Sequence, residues 1–314
     1  MAEASTNSML SAHQLFEKLK FVPLEELRQF DVRKLPLAEQ VKAFAESSEH
    51  VRFLAADVIN PLLEAAMATG STDREKAVVG CYYRAYAWMF TLAMLREPIH
   101  FQAVAAGARS LFELWVDLKL LLNDPTGRAV ERYHTFPRVE RFRAAQKIVE
   151  FSDAHPAAKI DAARQRTLVN DPAKQQEIAS LVAKLWEKDK KGHLRYPKHW
   201  SGQGLPARIP PSETEMEQIY NEQYPLLSWY VHSGSAGYAG LDDNALRCCF
   251  ALSHTIAQRA SLVSIELVAR EMKIMQAVEW LPDAIEKTRL APGLLMCQDK
   301  FGDQSGCSET ATHG

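Results

Sequence analysis

The chain has 314 residues, 47% of them hydrophobic and 24% charged, and a net charge of −2. That content builds a large buried core and suits one large helical domain or two smaller ones. It excludes a membrane-spanning protein: the most apolar stretch, Cys81–Leu95, is too short to cross a bilayer and contains Arg84. The first residues, Met1–Phe16, have no basic segment leading into an apolar run, so no secretory leader is expected. Five cysteines (Cys81, Cys248, Cys249, Cys297, Cys307) form no C-x-x-C pair. Their odd number predicts reduced thiols in a cytoplasm, with Cys81, Cys248 and Cys249 acting as small apolar residues.

In chain order, residues 1–36 read as short peripheral helices and residues 37–290 as a helical bundle. "SEHVRFLAADVINPLLEAAMATG" predicts a helix kinked near Pro61 and stopped by Gly70. Asp73–Arg96 follows, with Tyr82, Tyr86, Met89 and Leu92 on broad apolar faces. Ile99–Leu122 starts after Pro98 and carries Phe101, Val104, Ala108, Leu111, Phe112, Trp115 and Leu118 at spacings of three and four. "NDPTG" ends it. From Arg128 to Lys198 sixteen Lys/Arg face nine Asp/Glu, a local +7 that leaves −9 on the remainder. Nucleic-acid binding uses such asymmetry, and a solvated helical face with mixed charges produces it too. Residues 188–211, rich in Lys, Gly and Pro, predict a long ordered loop, a place where function often resides. "SETEMEQIYNEQ" reads as a helix before Tyr224, Asp242–Met272 as a long helix, and residues 291–314 as a disordered tail. With no strict alternation anywhere, the expected fold is all-α: a single antiparallel bundle of about seven to nine helices.

Polar residues interrupt these apolar stripes at a few places. Arg109 and Glu113, four apart, flank the stripe of their helix and can pair or hold the arginine towards a phosphate or carboxylate. "RAVERYH" places His134 six residues after Arg128, which fits the loose R-x(4–6)-H pattern of HEPN ribonucleases. There the histidine moves a proton and the arginine stabilises phosphate charge. Glu131 and His134 also form one E-x-x-H, but a di-iron bundle needs a second and none occurs. In the loop, His193 and His199 are candidates for a phosphate backbone, and Trp200 for a plug that anchors the loop. Tyr224, Ser228 and His232 recur every fourth residue. Pro225 disfavours helical dihedrals at Tyr224, so a kink is expected there. Ser228 and His232 share a helix face, yet no G-x-S-x-G elbow accompanies them, which excludes a serine hydrolase. His232, near a helix end, would be favoured in its charged form by the helix dipole.

"RSLFELWVDLKLLL", "KHWSG" and "YNEQYPLLSWYVH" occur in that order. Together they resemble an uncharacterised bacterial helical family, domain of unknown function 5677, over roughly Val51 to Met272. The resemblance implies a recurrent polar set of Arg109, Glu113, Trp200, Tyr220, Tyr224, Ser228 and His232. A looser likeness of fold links such proteins to HEPN members of toxin and phage-defence systems. The expectation is a polar site between helices, with Arg109 as the anion-binding group, His232 as the acid–base group and Trp200 in a lid. RNA or a nucleotide is the expected partner, homo-oligomers are compatible with it, and no metal or other cofactor is expected. The alternative is a non-catalytic interaction module whose Arg/Glu/Ser/His cluster is a buried structural network.

Overall fold

The computed structural model describes residues 24–28, 31–186, 196–231 and 242–295. Among them the chain is helical, with no strand. After α1 (Leu24–Arg28), α2 (Leu37–Phe53) begins directly behind Pro36. It continues through a π-helical turn, Leu54–Ile59, into α3 (Asn60–Ala68). The kink expected near Pro61 is this widened turn. Proline lacks an N–H and its ring clashes with the carbonyl four residues back, here Asp57, inside the π segment. Gly70, at φ +106°, ends the run.

Two long helices follow: α4 (Asp73–Ala93), and α5 (Phe101–Leu122) behind the 3-10 turn Pro98–His100. A Cβ on Gly107 of α5 would stand 2.9 Å from Leu92 Cδ2 and 3.1 Å from Trp88 Cε3. Glycine is what lets these helices approach so closely. Next come α6 (Arg128–Ala154), α7 (Ala163–Asn170), α8 (Pro172–Leu185) and the short α9 (Leu205–Arg208). The last group is α10 (Thr214–Gln218), α11 (Tyr224–Val231), α12 (Asp243–Glu271), α13 (Ile274–Ala277) and α14 (Leu281–Leu295). Asp242 caps α12, its carboxylate accepting from the Ala245 N–H at 2.7 Å. α14 runs to Leu295, past the expected start of the tail at residue 291. No helix among the described residues is long and apolar enough to cross a membrane.

The chain divides into two compact units. The first takes the described residues up to Ser71, then Val78–Leu118 and the described residues from Thr214 on. In it α12 packs along α2, and α14 along both α1 and α2. Leu54, Ile59, Leu63, Tyr82, Leu111, Phe112, Trp115 and Phe250 are sealed in its core. Two histidines lie in this interior. His254 of α12 shares a 3.0 Å hydrogen bond with Ser48 Oγ of α2, and His50 of α2 is 3% exposed. Burial lowers the pKa of each to about 4.

The second unit takes Thr72–Ala77 and Lys119–Glu213. Its core is Val139 and Phe142 of α6 against Ile178, Val182 and Leu185 of α8, closed by Trp186. Cys81 and Cys249 are buried thiols, as expected, whereas Cys248 is exposed because it sits on the outer face of α12.

Candidate functional site

In the first unit three side chains close a triangle. Arg109 Nε donates to Tyr224 Oη at 2.7 Å and to Glu113 Oε1 at 3.2 Å, and Tyr224 Oη donates to Glu113 Oε1 at 2.6 Å. Arg109 and Glu113 lie one turn apart on α5. Arginine before the acid is the weaker order for a helix-stabilising pair, so its main consequence is the reach to Tyr224.

Tyr224 gets there through local backbone geometry. A second π-helical turn, Ile219–Gln223, precedes it, and Tyr224 adopts helical dihedrals, φ −59° and ψ −36°. The effect of Pro225 falls on the turn containing Asn221, four residues back, rather than on Tyr224. This repeats the pattern seen at Pro61.

The ring of Tyr224 packs 5.8 Å from Phe112 and 5.6 Å from Tyr220, and the Arg109 guanidinium lies 5.1 Å from its centroid. Burial and then the Glu113 carboxylate push the Tyr224 hydroxyl well up, so it keeps its proton. Burial alone would lower Arg109, but Tyr224 and Glu113 outweigh it and raise its pKa. The two charged side chains are 31% and 34% exposed. Arg109 Nη1 and Nη2 bond no described residue.

Tyr220 thus joins the cluster through its ring. Ser228, one turn beyond Tyr224, is half-buried and hydrogen-bonds no described residue. His232 lies outside the described residues, as does His193.

The remaining predicted residues belong to the second unit. Arg128 is exposed at the start of α6 and lines a cleft of about 480 Å³. His134 lines a different cleft of about 700 Å³ beside Asp73 and Arg74. Six residues advance a helix by about 240°, which separates the two positions of the R-x(4–6)-H pattern. His134 Nε2 donates to the Asp73 carbonyl at 2.8 Å, and Glu131 pairs with Lys184 at 2.5 Å. Both members of the E-x-x-H therefore have protein partners. Among the described residues no three His, Cys, Asp or Glu gather as metal ligands do.

Trp200, expected in a lid or as an anchoring plug, is buried at 3% exposure. Its ring meets Tyr133 edge-on at 5.6 Å, and its carbonyl accepts from Trp186 Nε1 at 2.8 Å. Arginines that the spacing arguments did not single out hold the same loop. Arg132 donates to the Leu185 and Ser201 carbonyls at 2.7 and 3.2 Å, and Arg143 to the Pro197 carbonyl at 3.1 Å. Their one sequence signal is their place in the basic stretch.

A family model described as a family of unknown function (DUF5677) matches residues 75–245, more than half of the chain. No curated protein and no solved structure matches.

Proposed function

The chain belongs to that family of unknown function, and we propose that its Arg109–Glu113–Tyr224 cluster binds a phosphate-bearing ligand, RNA or a nucleotide. The observation that carries this reading is the division of labour within Arg109. Its Nε is spent on Tyr224 and Glu113, while Nη1 and Nη2 bond no described residue on a side chain 31% exposed. A guanidinium edge held in this way presents parallel donors to two phosphate oxygens. Glu113 and Tyr224 act as positioning residues, and Tyr224, kept protonated, cannot repel the anion. His232, which follows α11 in the sequence, is the acid–base candidate of this reading.

The test is binding of adenosine monophosphate and of a short single-stranded RNA to wild type, Arg109→Ala and His232→Ala, with melting curves as the folding control. Losing a charge-assisted contact costs about 1.5–3 kcal/mol, so Arg109→Ala should weaken binding by roughly tenfold to a hundredfold. A folded Arg109→Ala protein that binds as tightly as wild type overturns the proposal.

One observation favours a second reading, a structural network within an interaction module. The triangle satisfies itself, and two aromatic rings pack the Tyr224 ring. On that reading Arg109→Ala lowers the Tm by several degrees, and the wild-type protein binds neither probe.

A further inference from the structure

In the first unit α4 is apolar on two sides. Its inner face, with Tyr82, Ala85, Met89, Leu92 and Ala93, is buried. Its outer face carries Tyr83, Ala87, Phe90 and, in the turn that ends the helix, Met94, and all four are exposed. The three large side chains are 38%, 47% and 66% exposed. A helix that is apolar all round is normally buried all round. Single apolar side chains on a surface need no explanation, but a row of them along one helix marks an interaction site.

The spacing of this row points to the kind of partner. Positions 83, 87, 90 and 94 follow one another at intervals of four, three and four. That is the narrow heptad seam by which one helix packs against another. The seam also complements itself. Laid antiparallel on a second copy, Phe90 of each chain meets the small Ala87 of the other, and Tyr83 of each meets Met94. The two central layers then set a large residue against a small one. A parallel pairing instead stacks Phe90 on Phe90 and leaves Ala87 facing Ala87.

Charge points the same way. Glu64 of α3 is exposed beside Tyr83, whose pKa is raised by burial first and then by that carboxylate. Towards the other end the Arg52 guanidinium of α2 lies 5.8 Å from the Phe90 centroid. Arg52 and Arg96 share the carboxylate of Glu49 there. Antiparallel pairing sets the acid beside one end of each seam against the arginines beside the other end of its partner. Parallel pairing sets like charges together.

We propose that the Tyr83–Ala87–Phe90–Met94 face of α4 binds a second copy of this chain, helix against antiparallel helix, in a two-fold symmetric dimer. No residue of the Arg109 cluster belongs to the seam, so the proposal does not rest on the reading of that cluster. Sedimentation equilibrium of the full chain at micromolar concentrations tests it, and wild type should be a dimer. Phe90→Glu and Met94→Lys should each weaken the dimer about a hundredfold or more, because symmetry places every substitution in the interface twice. Met94 is the more exposed of the two, so its variant keeps the test open if Phe90→Glu lowers the Tm.

A Tyr83→Cys/Met94→Cys double variant tests the direction of pairing. Eleven residues separate these positions, about 16 Å along one helix, too far for a disulfide within one chain. Oxidised glutathione should therefore link the double variant into a covalent dimer that neither single variant forms. A wild-type chain that stays monomeric overturns the proposal, whether other residues of the chain cover the seam or the monomer floats with phospholipid vesicles. So does a dimer that both charged variants retain, or one that the double cysteine variant fails to trap.

Discussion

Tyr224 holds the first-unit cluster together because its hydroxyl is the one group that both accepts from Arg109 and donates to Glu113. Tyr224→Phe keeps the ring between Phe112 and Tyr220 but leaves a partly buried guanidinium and carboxylate short of a partner. Such a loss costs about 1–3 kcal/mol, or a Tm lower by several degrees. Melting indistinguishable from wild type would show that the hydroxyl contributes nothing. The Arg109–Glu113 pairing was legible from a spacing of four on one helix, and Tyr224 from its place in the ordered motifs. The roles of Arg132, Arg143 and Arg208 were not. Each bonds a backbone carbonyl or ring nitrogen on another segment, and those partners leave no mark in residue spacing. The burial of Trp200 was legible because a large aromatic ring beside "SGQG" gains most by leaving water.

At the scale of elements, apolar stripes located α4, α5 and α12 to within a few residues, since three- and four-residue spacing and capping both act locally. The helices of the second unit were harder to read. α6 carries Pro137 in its interior and presents long charged faces, and its buried positions, such as Val139, Phe142 and Ala145, are sparse. The two π-helical turns were legible only as disturbances near Pro61 and Pro225; widening of the preceding turn is a response that propensity does not encode. Gly107 was not read as special, because its role depends on Trp88 and Leu92 of the neighbouring helix. Gly107→Ala raises intrinsic helix propensity by up to about 1 kcal/mol. Overpacking against Trp88 and Leu92 opposes it by about 1–3 kcal/mol. We expect the clash to win and the Tm to fall, as a thermal melt will show; a higher Tm would mean that Leu92 simply turns aside.

For the molecule as a whole, acid sensitivity follows from the two buried histidines. Their folded-state pKa of about 4 lies below the value of about 6.5 expected in the unfolded chain. The unfolded state therefore takes up protons first as the pH drops. Stability is fully present above about pH 6.5 and declines from there towards pH 4, at up to about 1.4 kcal/mol per pH unit for each histidine. Chemical denaturation between pH 6.5 and 5 should show this slope, and His254→Gln should remove about half of it. A flat profile across that window would contradict the assignment. The uneven charge of the chain was legible from composition, but the seat of Gly202 against Trp186 was not, because it needs the α8 end and the loop brought side by side. The central claim is that Arg109 is held through Nε and offers its Nη edge to a phosphate. Nitrogen NMR of the arginine side chains tests it most directly, during a titration with adenosine monophosphate. The Arg109 Nη–H signals should shift while Nε–H keeps the signature of its bonds to Tyr224 and Glu113. Unchanged Nη signals at saturating nucleotide would contradict the account.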